Sequence, residues 1–519
     1  MRELLFILLC CISVSAKAQY LEQYPISRGN GDQMMHFKNW PEAVRQFSAL
    51  LEEDPDDLEL RYKLGKSYVY ADINKGKAVA YLMELGEYED NENDFYETLA
   101  KAYFVNYEFD KAKVLYKALG DSALTETKRN EYNKFIAQCD ISKKMMGSPV
   151  KVSFENLGKN VNSNAPDFFP IVTPDESTVV FTTRRDGVVG NLYSYEGYRT
   201  SDIYVTKHKR NKYSKARSVG NPNTYGNEYS AGRSSLGSFI TYTVNSEDQF
   251  NDIFVSEKGR RSYMPPKEFD SEDVNGKKDE LGSTLSDDGR VMYFASNREG
   301  GEGGFDIYYL QRLPNGGWSA IKNIGAPINT SGDEMYPCFG KGENVLYFAS
   351  NGHEGMGGLD LFKSDAGNRP NTWGFPTNLG YPINTPNDDK NISFAENQRY
   401  AYMSKRFDDS FGDLDIYRLT FLDEKDAYTL LSGRVLNQDS VALNSEVQIE
   451  VFYEETGNFV GSYIMNKTTG KYSAILAPGR YSIEINEVRG YKDYSMLLIV
   501  RGKNDQARKT IMDIVLEPQ

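Results

Sequence analysis

Histidine is almost absent from this chain. Its 519 residues include three, His36, His208 and His353. His353-Glu354 has no second histidine at zinc-protease spacing, which excludes that metal chemistry. Cysteine is equally scarce: there are four, and two of them, Cys10 and Cys11, lie near the N-terminus. The others, Cys139 and Cys338, form no C-x-x-C and read as two buried free thiols. No stretch beyond the N-terminus approaches the about 18 apolar residues of a membrane-spanning helix. Basic charge is in deficit, with 60 Lys+Arg against 74 Asp+Glu and a net charge of −14. An acidic chain argues against nucleic acid as a partner and against anionic lipid. G-x-S-x-G is missing, which removes the nucleophile elbow of a serine hydrolase.

What is present starts with a leader. MRELLFILLCCISVSAKAQ has Arg2, an apolar run from Leu4 to Val14, and Ala16-Lys17-Ala18 before Gln19. This reads as a secretory signal over 1–18, cleaved before Gln19. Leu9 precedes Cys10 where a lipobox wants a small residue, so acylation at Cys10 or Cys11 is the alternative. The length sets a prior of about three domains. Aromatics make up 13% of the chain, with 37 tyrosines, a composition suited to β-rich packing.

The centre of the chain repeats. NVLYFASNGHEGMGGLDLF, residues 344–362, is an apolar strand, a Gly-rich turn and a second strand opening with Asp. The pattern recurs at 290–308 and 399–417, with two divergent copies upstream. The second-strand Asp falls at Asp202, Asp252, Asp306, Asp360 and Asp415, spacings of 50, 54, 54 and 55. A fixed period built of short strands means a propeller or a solenoid. Each period also carries an acidic pair before a further strand (Asp279-Glu280, Asp333-Glu334, Asp388-Asp389) and an aromatic-bearing strand after D-I-Y. Four short strands per period describe a propeller blade. The orphan strand VKVSFENL, residues 150–157, is expected to complete the last blade. That gives five blades over 150–422, with six as the alternative. The run from acidic pair through YFASN to DIY resembles the PD40 repeat of TolB-type propellers.

Residues 28–143 read as helical. Trp40, Ala43, Phe47, Leu50 and Leu51 mark one apolar face, stopped near Asp54-Pro55. Leu64 corresponds with Leu99, Tyr68 with Tyr103, and Ala43 with Ala78 and Ala112, at offsets of 34 or 35. That period resembles tetratricopeptide repeats, whose first helices line a concave groove. The resemblance implies groove positions at Tyr62, Lys66, Tyr70, Glu97, Lys101 and Phe104, read as partner-binding residues. Residues 141–149 and 423–428 read as linkers.

From Thr429 to 519 the pattern becomes alternating strands with turns at Thr469-Gly470 and Pro478-Gly479. Gly433, Val435, Gly470, Tyr472, Pro478, Gly479, Tyr481, Gly490 and Tyr491 resemble the carboxypeptidase regulatory-like fold, a prealbumin-type β-sandwich without activity of its own. The fold class expected is thus an all-α tetratricopeptide-like segment, an all-β propeller and an all-β sandwich.

No catalytic, cofactor or metal constellation emerges, and the chain is read as not an enzyme. The acidic pairs recur once per blade, which marks a structural repeat that orients loops; an acidic mouth for a cationic peptide or metal is the competing reading. Trp318 and Trp373 occupy equivalent blade positions and read as packing between blades. The order of segments resembles PorE-related periplasmic envelope proteins of Bacteroidetes. Those relatives usually end in an OmpA-like peptidoglycan-binding domain, which the sequence to Gln519 does not show. The resemblance implies a periplasmic, outer-membrane-associated scaffold contacting other envelope proteins in type IX secretion or gliding motility. A glycan- or peptidoglycan-binding module is the alternative.

Overall fold

The computed structural model describes residues 24–71, 75–85, 92–190, 192–193, 198–210, 212–245, 250–260, 263–271, 273–407, 409–422, 429–443, 445, 447–454, 457, 459–476, 479–500 and 509–519. The expected leader, the linker at 423–428 and Pro478 lie outside them. The chain divides into two compact units. One runs to Thr420; the other is Phe421–Gln519 together with Asp175–Thr178 and Lys207–Ser214. Each is described by itself.

The first unit opens with helices α1 (Arg28–His36), α2 (Trp40–Glu53), α3 (Leu58–Tyr70), α4 (Gly76–Met83), α5 (Glu92–Val105), α6 (Phe109–Ser122) and α7 (Glu126–Met146). Local chemistry starts them. The side chains of Ser27, Asn39, Asp57 and Thr125 each accept from a backbone N–H of the first turn that follows, satisfying donors the helix leaves orphaned. Phe47, Leu64, Leu82, Phe95, Ala100 and Ala112 fill the core between them.

This arrangement corrects the expectation of an all-α run of tetratricopeptide-like repeats. Among the described residues seven α-helices are followed by β-sheets to the end of the chain, antiparallel except where Thr429–Leu436 pairs in parallel with Lys509–Ile511 and Ile514–Val515. The units are unequal: α4 has eight residues and α7 has 21. Three of the concave positions are taken up by contacts among the helices themselves: Tyr62 and Lys66 meet Asp94, and Phe104 is buried. A 35-residue recurrence of small and large residues needs only helix pairs that pack closely, and it does not specify an open repeat.

Five antiparallel sheets follow, and they form the blades of a propeller. Their innermost strands are Asp167–Val172, Glu228–Arg233, Glu280–Leu285, Glu334–Phe339 and Ser393–Phe394. The fifth blade takes its outermost strand, Val152–Asn156, from the N-terminal side of the ring, paired with Asp415–Phe421. Alternation explains the packing. In VMYFAS, Met292 and Phe294 enter a cluster with Ile253 and Phe269 of blade two. Tyr293 points the other way, to Phe339 and Leu346 of blade four. Both faces are buried between neighbours, so both read as apolar. Each such side chain contributes about 1.5–3 kcal/mol.

The second unit holds a sandwich of two sheets. One orders Lys471–Leu476, Thr429–Leu436 and Lys509–Ile511; the other orders Phe459–Ile464, Gln448–Tyr453, Gly479–Ile485 and Tyr494–Val500. Val435, Val447, Ile449, Val451, Tyr481 and Ile483 fill its core. Gly433 is obligatory, because a Cβ there would meet the Met512 carbonyl oxygen at 1.7 Å.

Candidate functional site: the blade turns and the helical face

In four of the blades the strand-opening Asp closes its own turn. Asp415 accepts from the backbone N–H of Phe411 at 2.8 Å and of Gly412 at 3.4 Å, and from Asn156 Nδ2 at 2.8 Å. Asp306 accepts from Gly303 N at 3.3 Å and Asn323 Nδ2 at 3.0 Å. Asp360 accepts from Gly357 N at 2.9 Å, and Asp202 from Val189 N at 2.9 Å. A carboxylate offers several lone pairs to turn N–H groups that no strand partner reaches.

The acidic pairs lash one blade to the next. The second member is buried and holds the preceding loop. Glu334 accepts from Thr330 N and Oγ1 at 2.8 and 2.7 Å and from Ser350 Oγ at 2.7 Å. Asp389 accepts from Thr385 N and Oγ1 at 2.7 and 2.9 Å and from Lys405 Nζ. Asp167 of blade one repeats the geometry with Ser163 and Arg185. The first member reaches the neighbouring turn: Asp333 accepts from Phe305 N at 2.9 Å and Asp388 from Leu359 N at 3.1 Å. These carboxylates are committed to the protein's own loops, which supports the loop-orienting reading over the acidic mouth.

Burial sets their charge. It pushes Glu228 up to about 7, Glu280 and Asp360 up to about 8, and Asp202 up to about 6. Each of these four also has one buried oxygen without a hydrogen-bond partner. A neutral carboxylic acid tolerates that position far better than an anion.

A second repeated residue was missed in the sequence. Asn162, Asn223, Asn275, Asn329 and Asn384 each clamp the residue after a strand Asp. Asn329 accepts from Ile307 N at 2.9 Å and donates to Ile307 O at 2.9 Å. Asn384 does the same to Leu361, Asn275 to Ile253, Asn223 to Ile203, and Asn162 to Ile416 across the ring closure. The signal existed: Asn223, Asn275, Asn329 and Asn384 fall 21, 23, 23 and 24 residues after Asp202, Asp252, Asp306 and Asp360.

The helical positions read as partner-binding divide into four groups. Tyr62 and Lys66 converge on Asp94, with Lys66 Nζ at 2.7 Å from Oδ2. Tyr70 stacks on Trp40 at 4.9 Å, and Lys101 Nζ lies 4.3 Å over the Tyr70 ring. Burial first, then neighbouring Lys75, lowers the Lys101 ammonium pKa. Glu97 accepts from Tyr132 Oη at 2.9 Å on α7. Phe104 is buried against Phe109.

Helix α7 grips the blade-four turn. Lys134, Gln138 and Ser142 lie four residues apart on one face. They donate to the carbonyl oxygens of Asn351 (3.2 Å), Gly357 and Met356 (3.4 Å). The Met356 side chain is fully buried within the helical core. Lys75 Nζ donates to Asn387 Oδ1 at 2.6 Å.

Trp318 packs on Phe269 of blade two at 4.9 Å, and Trp373 on Tyr293 of blade three at 6.0 Å. Both sit between blades. Cys139 and Cys338 are buried and free. Among the described residues no cluster of His, Cys, Asp and Glu could hold a metal ion, and no helix is long and apolar enough to cross a membrane.

No family model matches the chain, and no curated protein matches it. Among solved structures it is similar to TolB from Acinetobacter baumannii, at 13% identity over 52% of this chain and 64% of that one, with a TM-score of 0.32. A putative TolB from Agrobacterium tumefaciens is 16% identical over 53% of this chain and 99% of that one, with a TM-score of 0.27. A DUF3823 family protein from Bacteroides ovatus is 20% identical over 18% of this chain and 45% of that one, with a TM-score of 0.14. The likeness therefore spans less than two thirds of the TolB chain from Acinetobacter and under half of the DUF3823 chain.

Proposed function

We propose that this protein is a non-enzymatic scaffold of the cell envelope, exported to the periplasm, that works through contacts with other envelope proteins. One observation carries the reading: the repeated carboxylates, the chain's most conspicuous candidates for chemistry, are committed to holding turns and joining blades. What is left for function is surface. The grip of α7 on the blade-four turn couples the helices and the propeller into one preformed platform. Such a platform offers large faces without chemistry. Glu97, with a third of its side chain exposed, and half-buried Tyr70 and Lys101 are the helical-face residues left to a partner. The sequence resemblance supports type IX secretion or gliding motility as the machine it serves.

The test is recovery of the tagged mature protein from crosslinked native envelopes, with co-purifying proteins identified by mass spectrometry. Secretion or motility components are the expected catch. Retention on peptidoglycan or polysaccharide with no protein partner would overturn the scaffold reading in favour of a glycan-binding module.

A further inference from the structure

The blade-four turn shows what an apolar residue does at one position of this repeat. Ser350 and Asp360 are paired across the ladder, and Met356 stands four residues before the Asp. Its side chain is swallowed by the helical core, while α7 reads the carbonyls around it. Blades three and five have turns of the same length, closed by the pairs Ser296–Asp306 and Lys405–Asp415. The residues equivalent to Met356 are Glu302 and Phe411.

The three turns share one backbone geometry. Phe411 N and Gly412 N donate to Asp415 as Glu302 N and Gly303 N donate to Asp306. The next glycine is seated on the following blade in all three. A Cβ would lie 1.9 Å from Gly332 O at Gly303, 2.2 Å from Asn387 O at Gly357, and 2.7 Å from the Asn164 carbonyl carbon at Gly412. Phe411 therefore leaves its turn in the direction Met356 leaves its own. The fates differ. Glu302 is charged and exposed and needs no cover. Met356 is 0% exposed, whereas Phe411 is 51% exposed and Phe407, on the same turn, 39%. Phe407 rests on Phe154 at 5.2 Å and Tyr417 at 5.0 Å, so the turn is backed by a fixed aromatic base.

We propose that the blade-five turn docks an α-helical segment of a partner protein, with Phe411 as the knob that the partner's helices enclose. The occupant is specified by the chain's own example. It is an amphipathic helix with hydrogen-bond donors four residues apart, facing the carbonyls of Arg406, Phe411 and Gly412 as Lys134, Gln138 and Ser142 face those of Asn351, Met356 and Gly357. An exposed aromatic on a rigid base is the kind of residue that anchors an interface. The inference rests on the scaffold reading and names its surface.

The experiment places photoreactive benzoylphenylalanine at position 411, 356 or 302 of the full chain in its native host. Position 356 is expected to crosslink within the chain to α7, which verifies the geometry, and 302 gives the background. Position 411 is expected to give an intermolecular adduct, mapped by mass spectrometry to a helix of an identified partner. F411E is then expected to lower recovery of that same protein about tenfold or more, with the melting temperature unchanged. No adduct above the 302 background, an adduct to an extended segment or to lipid, or unchanged recovery with F411E would overturn the docking site. If wild-type chain recovers partners that F411E also recovers, the site fails and the scaffold reading stands. If wild-type chain recovers no protein partner, both fail.

Discussion

Lys405 and Asp389 form an ion pair sealed inside blade five, with side chains 6% and 3% exposed. Lys405 Nζ also donates to the Ile383 carbonyl at 2.7 Å, and Asp389 holds Thr385. Burying two charges repays its desolvation only while both partners stay in place. K405M strands the Asp389 carboxylate and is expected to cost about 3–5 kcal/mol in denaturant unfolding. The double variant K405M/D389L, which removes both charges, is expected to recover most of that loss. Equal instability of single and double variants would show that the pair is not what holds this end of the blade.

Stability should fall as the solution turns alkaline. Glu228, Glu280 and Asp360 have folded pKa values of about 7, 8 and 8, while unfolded carboxyls titrate near about 4. Below about pH 4 both states hold these protons and the contribution is complete. Between there and about pH 8 the unfolded chain has released them and the folded chain has not, so stability drops with rising pH. Thermal melts at pH 5.5 and 8.5 should show the lower midpoint at 8.5. E280Q imitates the neutral acid and should flatten part of that slope.

Gly303 faces the backbone of the next blade, with the virtual Cβ 1.9 Å from the Gly332 oxygen and 2.7 Å from that of Thr330. Neither atom can move without opening the seam. G303A is expected to destabilise by at least the about 1–3 kcal/mol of an overpacked core. Gly29, whose Cβ would meet nothing within 4 Å, is the control, and G29A in α1 should be neutral or stabilising. Calorimetry of the two variants separates steric seating from a general intolerance of alanine.

Asn329 satisfies both backbone groups of Ile307 and is 4% exposed. N329A leaves that N–H and C=O buried without partners, at about 1–3 kcal/mol each. Hydrogen exchange at the Ile307 amide should accelerate in N329A while the helical amides keep wild-type protection. An unchanged Ile307 rate would mean that another group or water replaces the asparagine.

Q138E sets a carboxylate against the Gly357 carbonyl oxygen, replacing a donor with an acceptor. The grip of α7 should loosen, and limited proteolysis should cut near Gly147–Pro149 faster than in the wild type. Blade-three variants such as E302Q should leave the cutting rate alone.

The strands were legible because their signals are local. An apolar alternation ending in a turn and an aspartate is written within about twenty-five residues, and it recurs five times. The acidic pairs were visible for the same reason. The asparagine clamp was not read, because its partner sits twenty or more residues away and asparagine is unremarkable in a loop. The helices misled for a different cause. Tyr62 and Lys66 occupy positions that could face a partner, and nothing in their spacing reveals that Asp94, thirty residues on, claims both. Met356 was invisible as well. In the sequence it is one more residue of a Gly-rich turn, and only the arrival of α7 makes it an anchor.

The strand Val152–Asn156 belongs to a blade whose other members are made more than two hundred residues later. The Asn162 clamp on Ile416 spans a separation of 254 residues. During synthesis, four blades and the helical platform can emerge and pair locally while the fifth waits. Until Asp415–Phe421 is made, the ring stays open, with a bare strand at one end and an unfilled slot at the other. Long-range pairing of this kind is slow and leaves adhesive edges on show. A chain cut short before residue 415 would therefore be left with an open ring, and the cell would meet it as a substrate for chaperones and proteases.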